Sequence, residues 1–506
     1  MSFPVVSATV FAPLVGAALI FCLSPARKEL IRWIAAVTTG ISLVLAAYLV
    51  LAYDLSAGGV QFAEKINWLP SFGIKYFVGV DGISAVMLLL TAIVGFTGVF
   101  ASWGIQDRVK EYYITFLALT FACAGVFASF DIFLLFVFFE LAVLPKYILI
   151  SVWGSTKKEY AAMKLALYLT LGGAITLLGI LCLYFVAGIN SLDLLELARH
   201  EFTRNQQLLL FAIFALGFSV QVPIVPLHSW LPDAHTGAPT AGSMILAGVV
   251  MKLGAYGIIR IACWLFPQGA LFWAPVIAVL AIVCVVYAAF VAMGQKDLKY
   301  MIANSSISHM GYSVLGIAAL TVASLAGALF QFFAHGIMAA LNFAIAGMTY
   351  DRTHTRVIAA MGGLAKVMPV LGIAFAIGCL ASVGLPGTAS FWAEFSVFVG
   401  SFPIFPTLSI LAISGIVFTA YYMLRALQRV YFEPLRHKEF AKLKDAVWHD
   451  WVVITVIVFF IVAMGVYPSL LMNLITSGLD PIMAGFKGAT PVAGLTTWLA
   501  ALGGVR

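Results

Sequence analysis

Three charged side chains lie in the middle of strongly apolar runs. Glu140 sits in Phe138-Phe139-Glu140-Leu141, Lys252 in Val249-Val250-Met251-Lys252-Leu253, and Glu394 in Phe391-Trp392-Ala393-Glu394-Phe395. Lys146 follows Pro145 in another such run, and His309 and His335 fall mid-run further on. If these runs cross a bilayer, each buried charge costs about 2.5–3.5 kcal/mol, against a gain of about 0.3–0.6 kcal/mol per Leu or Phe. One isolated residue of this kind is as readily a packing ion pair as a functional group. A set of carboxylates, amines and imidazoles on neighbouring helices points instead to a proton relay, in which each group's proton affinity follows its neighbour's charge. Lys164, at the start of its run, can also simply snorkel to the interface.

The elements that must hold these groups follow from composition. Of 506 residues, 63% are apolar and only 10% charged, where a soluble protein carries about 25% charged residues. At about 20 residues per crossing the chain supports about fourteen membrane spans. They are predicted at 4–24, 31–53, 79–102, 112–130, 132–152, 161–187, 207–227, 239–265, 271–293, 301–320, 325–349, 368–400 with an interruption, 407–431 and 451–474. The long Leu/Ile/Phe/Ala runs lack period-two alternation, and backbone polar groups in hydrocarbon must bond internally, so the fold class is an all-α, polytopic helical bundle. A water-soluble enzyme, a nucleic-acid-binding domain and a single-anchor receptor are excluded. The net charge of +7 reflects topology. Arg27, Lys28, Arg108, Lys110, Lys157, Lys158, Lys296, Arg352 and Lys444 crowd the odd-numbered connections, whereas Lys65, Lys75, Arg199 and Arg204 occupy the even-numbered ones. The positive-inside rule then puts odd loops in the cytoplasm and both termini on the other side.

Cys22, Cys123, Cys182, Cys263, Cys284 and Cys379 stand singly in apolar runs with no CxxC pair, so they read as buried structural thiols and not as a zinc or iron–sulfur site. No HExxH, CxxCH or phosphate-binding glycine loop is present. This predicts no metal, nucleotide or redox cofactor in the chain. The start, Met-Ser-Phe-Pro, lacks a basic segment before its apolar run, so the first helix is expected to be retained.

Val222-Pro223-Ile224-Val225-Pro226 interrupts the seventh span and Gly384-Leu385-Pro386-Gly387-Thr388 the twelfth. Pro223, Pro226 and Pro386 break the hydrogen-bond ladder. Taking spans four to eight and nine to thirteen as units places each break on the fourth helix of its unit. An odd number of crossings per unit makes the two repeats inverted, the arrangement in which paired broken helices mark an ion pathway. The predicted organisation is N-terminal helices at 1–105, a first five-helix repeat at 112–265, a second inverted repeat at 271–432, and a linker, last helix and tail at 433–506. The mixed-charge stretch from Phe432 to Asp450 reads as a surface amphipathic helix, and the 350–356 loop as a solvated linker or a cytoplasmic cap.

Residues 226–235, Pro-Leu-His-Ser-Trp-Leu-Pro-Asp-Ala-His, followed by Ala238-Pro239-Thr240-Ala241-Gly242-Ser243, resemble the antiporter-like subunits of proton-translocating NADH-quinone oxidoreductase (complex I), most closely the M type. Asp297-Leu298-Lys299, residues 305–311 (Ser-Ser-Ile-Ser-His-Met-Gly), the 350–356 loop and Gly384-Leu385-Pro386-Gly387 extend the resemblance over about residues 80–430. It implies fourteen helices, inverted repeats and a hydrophilic axis. In that axis Glu140 resembles the fifth-helix glutamate that couples to an adjacent subunit, Lys252 the central lysine, His309 and His335 the connecting histidines, and Glu394 the terminal acid. Lys164 also fits the pattern. FMN, iron–sulfur clusters and quinone are then expected in other subunits, with neighbouring antiporter-like subunits and lipids as partners in a bacterial inner membrane. Gln221 departs from the family's lysine before the first proline of the break. Because Gln cannot carry a proton, Lys146 is expected to replace the missing amine. A cation/proton antiporter, a membrane-bound hydrogenase subunit and a transport-inactive spacer are the alternatives.

Overall fold

Four aspartates set where helices begin. Asp81, Asp131, Asp193 and Asp297 each accept a hydrogen bond from a backbone N–H of the first turn that follows, satisfying donors that a helix start leaves orphaned. A computed structural model describes residues 3–487. Met1 and Ser2, on which the retained-start reading partly rests, and residues 488–506 of the predicted tail lie outside the described residues.

The first helices are α1 (Val5–Phe21) and α2 (Lys28–Ala52), followed by an antiparallel hairpin of β1 (Gln61–Leu69) and β2 (Ile74–Val80). Then come α3 (Gly82–Ala101), α4 (Val109–Ala128), α5 (Ile132–Leu141), α6 (Val143–Trp153), α7 (Lys158–Ala187), the short α8 (Leu194–Leu197) and α9 (Arg204–Gln221). The seventh span resumes as α10 (Trp230–Gly237), and the eighth runs from α11 (Thr240–Ile245) through π-helical turns at Leu246–Val250 and Ile258–Cys263 that flank α12 (Met251–Gly257). The second half comprises α13 (Pro267–Met293), α14 (Leu298–Ala319), α15 (Val322–Thr353), α16 (Pro369–Ser382), α17 (Ala389–Ser401) and α18 (Pro406–Leu427). The last helices are α19 (Trp448–Val466) and α20 (Ser469–Met483). Ten helical stretches among the described residues are long and apolar enough to cross a membrane. The central stretches of the eighth span and of α15 are wholly buried inside the bundle, whereas α7 keeps Leu167, Leu171, Leu178 and Phe185 exposed on its outer flank.

Both predicted breaks are present: the seventh span between Gln221 and Trp230, the twelfth between Ser382 and Ala389. Gly384 and Gly387 have φ of 73° and 94°, which glycine adopts without steric cost. Trp230 Nε1 donates to the Val220 carbonyl at 2.9 Å, taking up an acceptor the first break frees.

Several expectations change. The β1–β2 hairpin was not foreseen; it occupies residues read as a loop, and the third span starts only after the Asp81 cap. The fifth span is divided at Ala142 into α5 and α6. The last predicted span ends at Val466, and the amphipathic α20 begins after Pro468. Between Phe432 and the start of α19 at Trp448 the stretch holds only a 3-10 turn at Lys438–Lys442. Its polar groups are used across the fold: Asp445 accepts from Val370 and Leu371 N–H at the start of α16, and Lys444 and Asp445 carbonyls accept from Arg352. The 350–356 loop is tied down by the same bonds and is not a solvated linker. Cys22 is exposed and Cys182 half-buried, while Cys123, Cys263, Cys284 and Cys379 are buried.

Candidate functional site

Lys252 on α12 is fully buried between the two π-helical turns. Its Nζ donates to the Ala247 carbonyl and lies 2.8 Å from His335 Nδ1 on α15. The His335 ring is 5.5 Å, centroid to centroid, from His309 on α14. His309 Nδ1 lies 3.3 Å from Glu394 Oε1 on α17, an ion-pair distance without hydrogen-bond alignment. Gln331 Nε2 reaches the same carboxylate at 3.5 Å. A Cβ at Gly384 would lie 2.9 Å from Glu394 Oε2, so the glycine of the second break makes room for this carboxylate. Four of the predicted residues, Lys252, His335, His309 and Glu394, thus form one contiguous array from the eighth span to the twelfth.

The remaining predicted residues stand apart. Glu140, at the end of α5, packs its carboxylate against Gly173 of α7, where any side chain would collide with it. Lys146 on α6 is buried, and its Nζ has no hydrogen-bond partner among the described residues. It is the charged side chain that acts on Glu140. Gln221 ends α9 and donates from Nε2 to the Val250 carbonyl at 3.0 Å, a bond within the π-helical turn next to Lys252. Pro223, Pro226 and Pro386 lie in the two breaks. Lys164 does not snorkel freely: it pairs with Asp233 of α10 at 2.7 Å.

Residues the sequence reading passed over extend the polar groups toward the face that carries the basic loops. A cavity of about 680 Å3 opens there, lined in part by Lys158, Lys299, Asp351, His354 and Arg356. Lys299 is itself buried and donates to the Ala238 carbonyl at 3.0 Å and to Ser243 Oγ at 3.5 Å. Ser243 Oγ donates to the His235 carbonyl at 2.9 Å, and the buried His235 ring stacks on Phe343 at 4.5 Å. Their signal was the motif that carried the family resemblance, but the separation in sequence between Lys299 and Ser243 hid their contact. Asp81 and Arg260 form a second buried ion pair, with Arg260 Nη2 also donating to Ser84 Oγ at 3.1 Å. On the opposite face Lys75 bonds Glu196 at 2.7 Å, and this ammonium holds the Glu196 carboxyl down at about 2.

The array joins an amine, two imidazoles and a carboxylate, groups that can each bind and release a proton, and it ends on the twelfth span beside the second break. Comparison with known proteins gives the family. A family model for the NADH:quinone oxidoreductase/Mrp antiporter transmembrane region matches residues 129–419. NADH-quinone oxidoreductase subunit M of Rickettsia bellii is 36% identical over 497 residues, covering 96% of this chain and 100% of its own. NAD(P)H-quinone oxidoreductase chain 4-2 of Synechocystis is 38% identical over 85% of this chain and 78% of its own. A chain of respiratory complex I from Thermus thermophilus superimposes with a TM-score of 0.86 at 29% identity, over 94% of this chain and 99% of that one. A chain of the Mrp complex from Dietzia shares the fold, with a TM-score of 0.84 at 21% identity, over 96% and 99% of the two. With a matching family model over more than half its length and full-length relatives above 30% identity, this chain belongs to the antiporter-like membrane subunits of the NADH:quinone oxidoreductase/Mrp antiporter family.

Proposed function

We propose that this chain is a proton-translocating membrane subunit of a complex I type quinone oxidoreductase, in a bacterial inner membrane with both termini outside the cytoplasm. The flavin, iron–sulfur and quinone chemistry belongs to other subunits and reaches this one as an electrostatic change at its flank. The single observation that carries the reading is the contiguous array from Lys252 through His335 and His309 to Glu394. Packing alone gives no reason to bury two imidazoles and an amine in one line. The Nε2 of His335 and both ring nitrogens of His309 lack a hydrogen-bonded protein partner among the described residues, and buried polar groups in that state take water as partner.

In this reading protons enter from the cytoplasmic cavity at Lys299 and pass His235 to Lys252. A charge change at the Glu140–Lys146 pair alters how tightly Lys252 holds its proton. The proton then moves through His335 and His309 to Glu394 and leaves beside the second break. Moving one charge against about 150 mV costs about 3.5 kcal/mol, which is within the range that changes in buried charge can supply.

The test is Lys252→Ala in the assembled complex, reconstituted in vesicles with NADH and quinone. The number of protons moved per electron is expected to fall. An unchanged ratio with intact electron transfer would leave only a spacer. Gln221 favours that second reading, because its amide is fixed to the Val250 carbonyl and holds no proton.

A further inference from the structure

The same basic face carries a second cavity, away from the array. It measures about 320 Å3 and opens between the end of α13, the loop at 294–297, the turn at Ile358–Ala360 and the end of α18. Lys296, Arg425 and Arg429 line it, and no carboxylate does. Tyr422 also lines it and is buried, with its hydroxyl 3.1 Å from Thr419 Oγ1.

Topology alone asks only that cations lie on this face, not that they converge. Elsewhere on it four arginines have acidic partners, Arg32 with Glu29, Arg352 with Asp450, Arg356 with Asp297 and Arg436 with Glu433, whereas Arg27 and Arg108 have none among the described residues and lie outside this cavity. Among the described residues Lys296, Arg425 and Arg429 make no ion pair with a carboxylate. Arg425 donates instead to Tyr421 Oη, with its guanidinium 5.3 Å from that ring. Three cations from two parts of the chain, the 294–297 loop and the end of α18 with the turn that continues it, held at one concavity with no counter-charge among the described residues, form a phosphate-sized electrostatic trap. A basic pocket between membrane helices on this side is suited to lipid headgroups.

The helices below the cavity fit acyl chains. α13 and α18 pack side by side, with Phe290 and Phe418 at 4.6 Å. Tyr287, Phe290, Val417, Tyr421 and Leu424 remain exposed along their outer flank. We propose that the cavity binds the phosphodiester headgroup of an anionic phospholipid, through Lys296, Arg425 and Arg429, with its acyl chains lying along the seam between α13 and α18. A free phosphate would use the trap and ignore the seam, so the two sources separate by experiment.

The assay uses the intact complex in native-like bilayers and a photoactivatable phosphatidylglycerol whose reactive group sits near the glycerol. Adducts are mapped by mass spectrometry. Labelling is expected around Phe290 and between Tyr421 and Leu424. Each surface cation near a membrane is worth about a fivefold change in anionic lipid binding. Arg425→Gln with Arg429→Gln is therefore expected to weaken it about 30-fold, and Lys296→Gln, in a loop where folding is not at stake, about fivefold. The proposal is overturned if the phosphatidylcholine analogue labels equally, if inorganic phosphate in excess displaces the probe, if the cation variants label like wild type, or if the segment cross-links only to a neighbouring subunit.

Discussion

Replacing Lys146 with Met tests whether the amine missing at residue 221 has moved to α6. Lys146 is buried, its Nζ has no hydrogen-bond partner among the described residues, and it is the charged side chain acting on Glu140. Among the described residues the two make no direct ion pair, so their attraction acts through space and stays below the about 4 kcal/mol of unit charges 4 Å apart at an effective dielectric of about 20. Moving one charge against 150 mV takes roughly 3.5 kcal/mol. In the proposed relay, losing Lys146 is therefore expected to remove much of the energy by which the flank acts on Lys252. In vesicles containing the whole complex, Lys146→Met is expected to leave NADH oxidation with an uncoupler near normal while lowering protons per electron. Adding Gln221→Lys to that variant is expected to restore part of the ratio, since the new amine ends α9, beside the turn that adjoins Lys252. Full pumping by Lys146→Met, in preparations where Glu140→Gln abolishes it, would refute the reasoning.

Other perturbations follow from the same geometry. At 3.3 Å and an effective dielectric of about 20, a charged His309 and Glu394 attract by about 5 kcal/mol. Glu394→Gln is accordingly expected to slow proton passage by up to nearly four orders of magnitude, seen as lost acidification of the vesicle lumen; normal acidification would exclude Glu394 as the terminal acceptor. Arg260→Leu leaves Asp81 buried without its partner and is expected to destabilise the chain by about 3–5 kcal/mol, lowering the temperature at which the complex dissociates, with Asp81→Asn in the same chain recovering part of the loss. On the opposite face, the Glu196 carboxyl lies at about 2 against an ordinary 4.5, so its contribution is complete above pH 4.5 and is lost as pH falls toward 2. Because Glu196 is nearly half exposed, that contribution is at most about 1 kcal/mol. Hydrogen-exchange protection of the β1–β2 hairpin, taken relative to the intrinsic amide rate at each pH, is expected to fall as pH drops over that window in wild type and stay flat in Glu196→Gln; equal slopes would discount the Lys75 contact.

What the sequence revealed and what it hid divide along a physical line. Glu140, Lys252, His309, His335 and Glu394 announced themselves because charge in an apolar run carries a penalty that local composition makes visible. Pro223, Pro226 and Pro386 did so because proline, paired with another proline or with glycine, removes enough of the ladder to break a helix, whereas the lone Pro13 and Pro275 leave α1 and α13 continuous. Partners were another matter. Lys164 looked free to snorkel, since Asp233 is distant in sequence and reads as part of a motif. Asp81 and Arg260 stand near the ends of their spans, where charge carries no penalty, so nothing flagged their burial as a pair. The Phe432–Asp450 stretch had the charge alternation of an amphipathic helix. Its Lys444 and Asp445 backbone carbonyls and the Asp445 side chain bond Arg352 and the start of α16 instead. Composition indicates that polar groups need partners but not which ones they find.

The π-helical turns explain how one buried amine can be both held and released. In a π turn the carbonyls step out of the i→i−4 ladder, leaving acceptors inside a span that is otherwise closed to water. The Ala247 carbonyl accepts from Lys252, and the Val250 carbonyl of the same turn accepts from Gln221. The lysine therefore has a neutral acceptor on its own helix and an imidazole acceptor, His335, on α15. A fixed carboxylate counter-ion would have bound its charge too firmly for transfer. Carbonyl and imidazole are acceptors that tolerate either protonation state, so the preference of Lys252 is set by charges further away. In the proposed relay, Glu140, Lys146 and the cavity at Lys299 set it. Residue 221 is an amide bonded into the π turn, so the turn next to Lys252 is fixed by a group that holds no proton, and in the proposed relay the responsive charge on this side is Lys146.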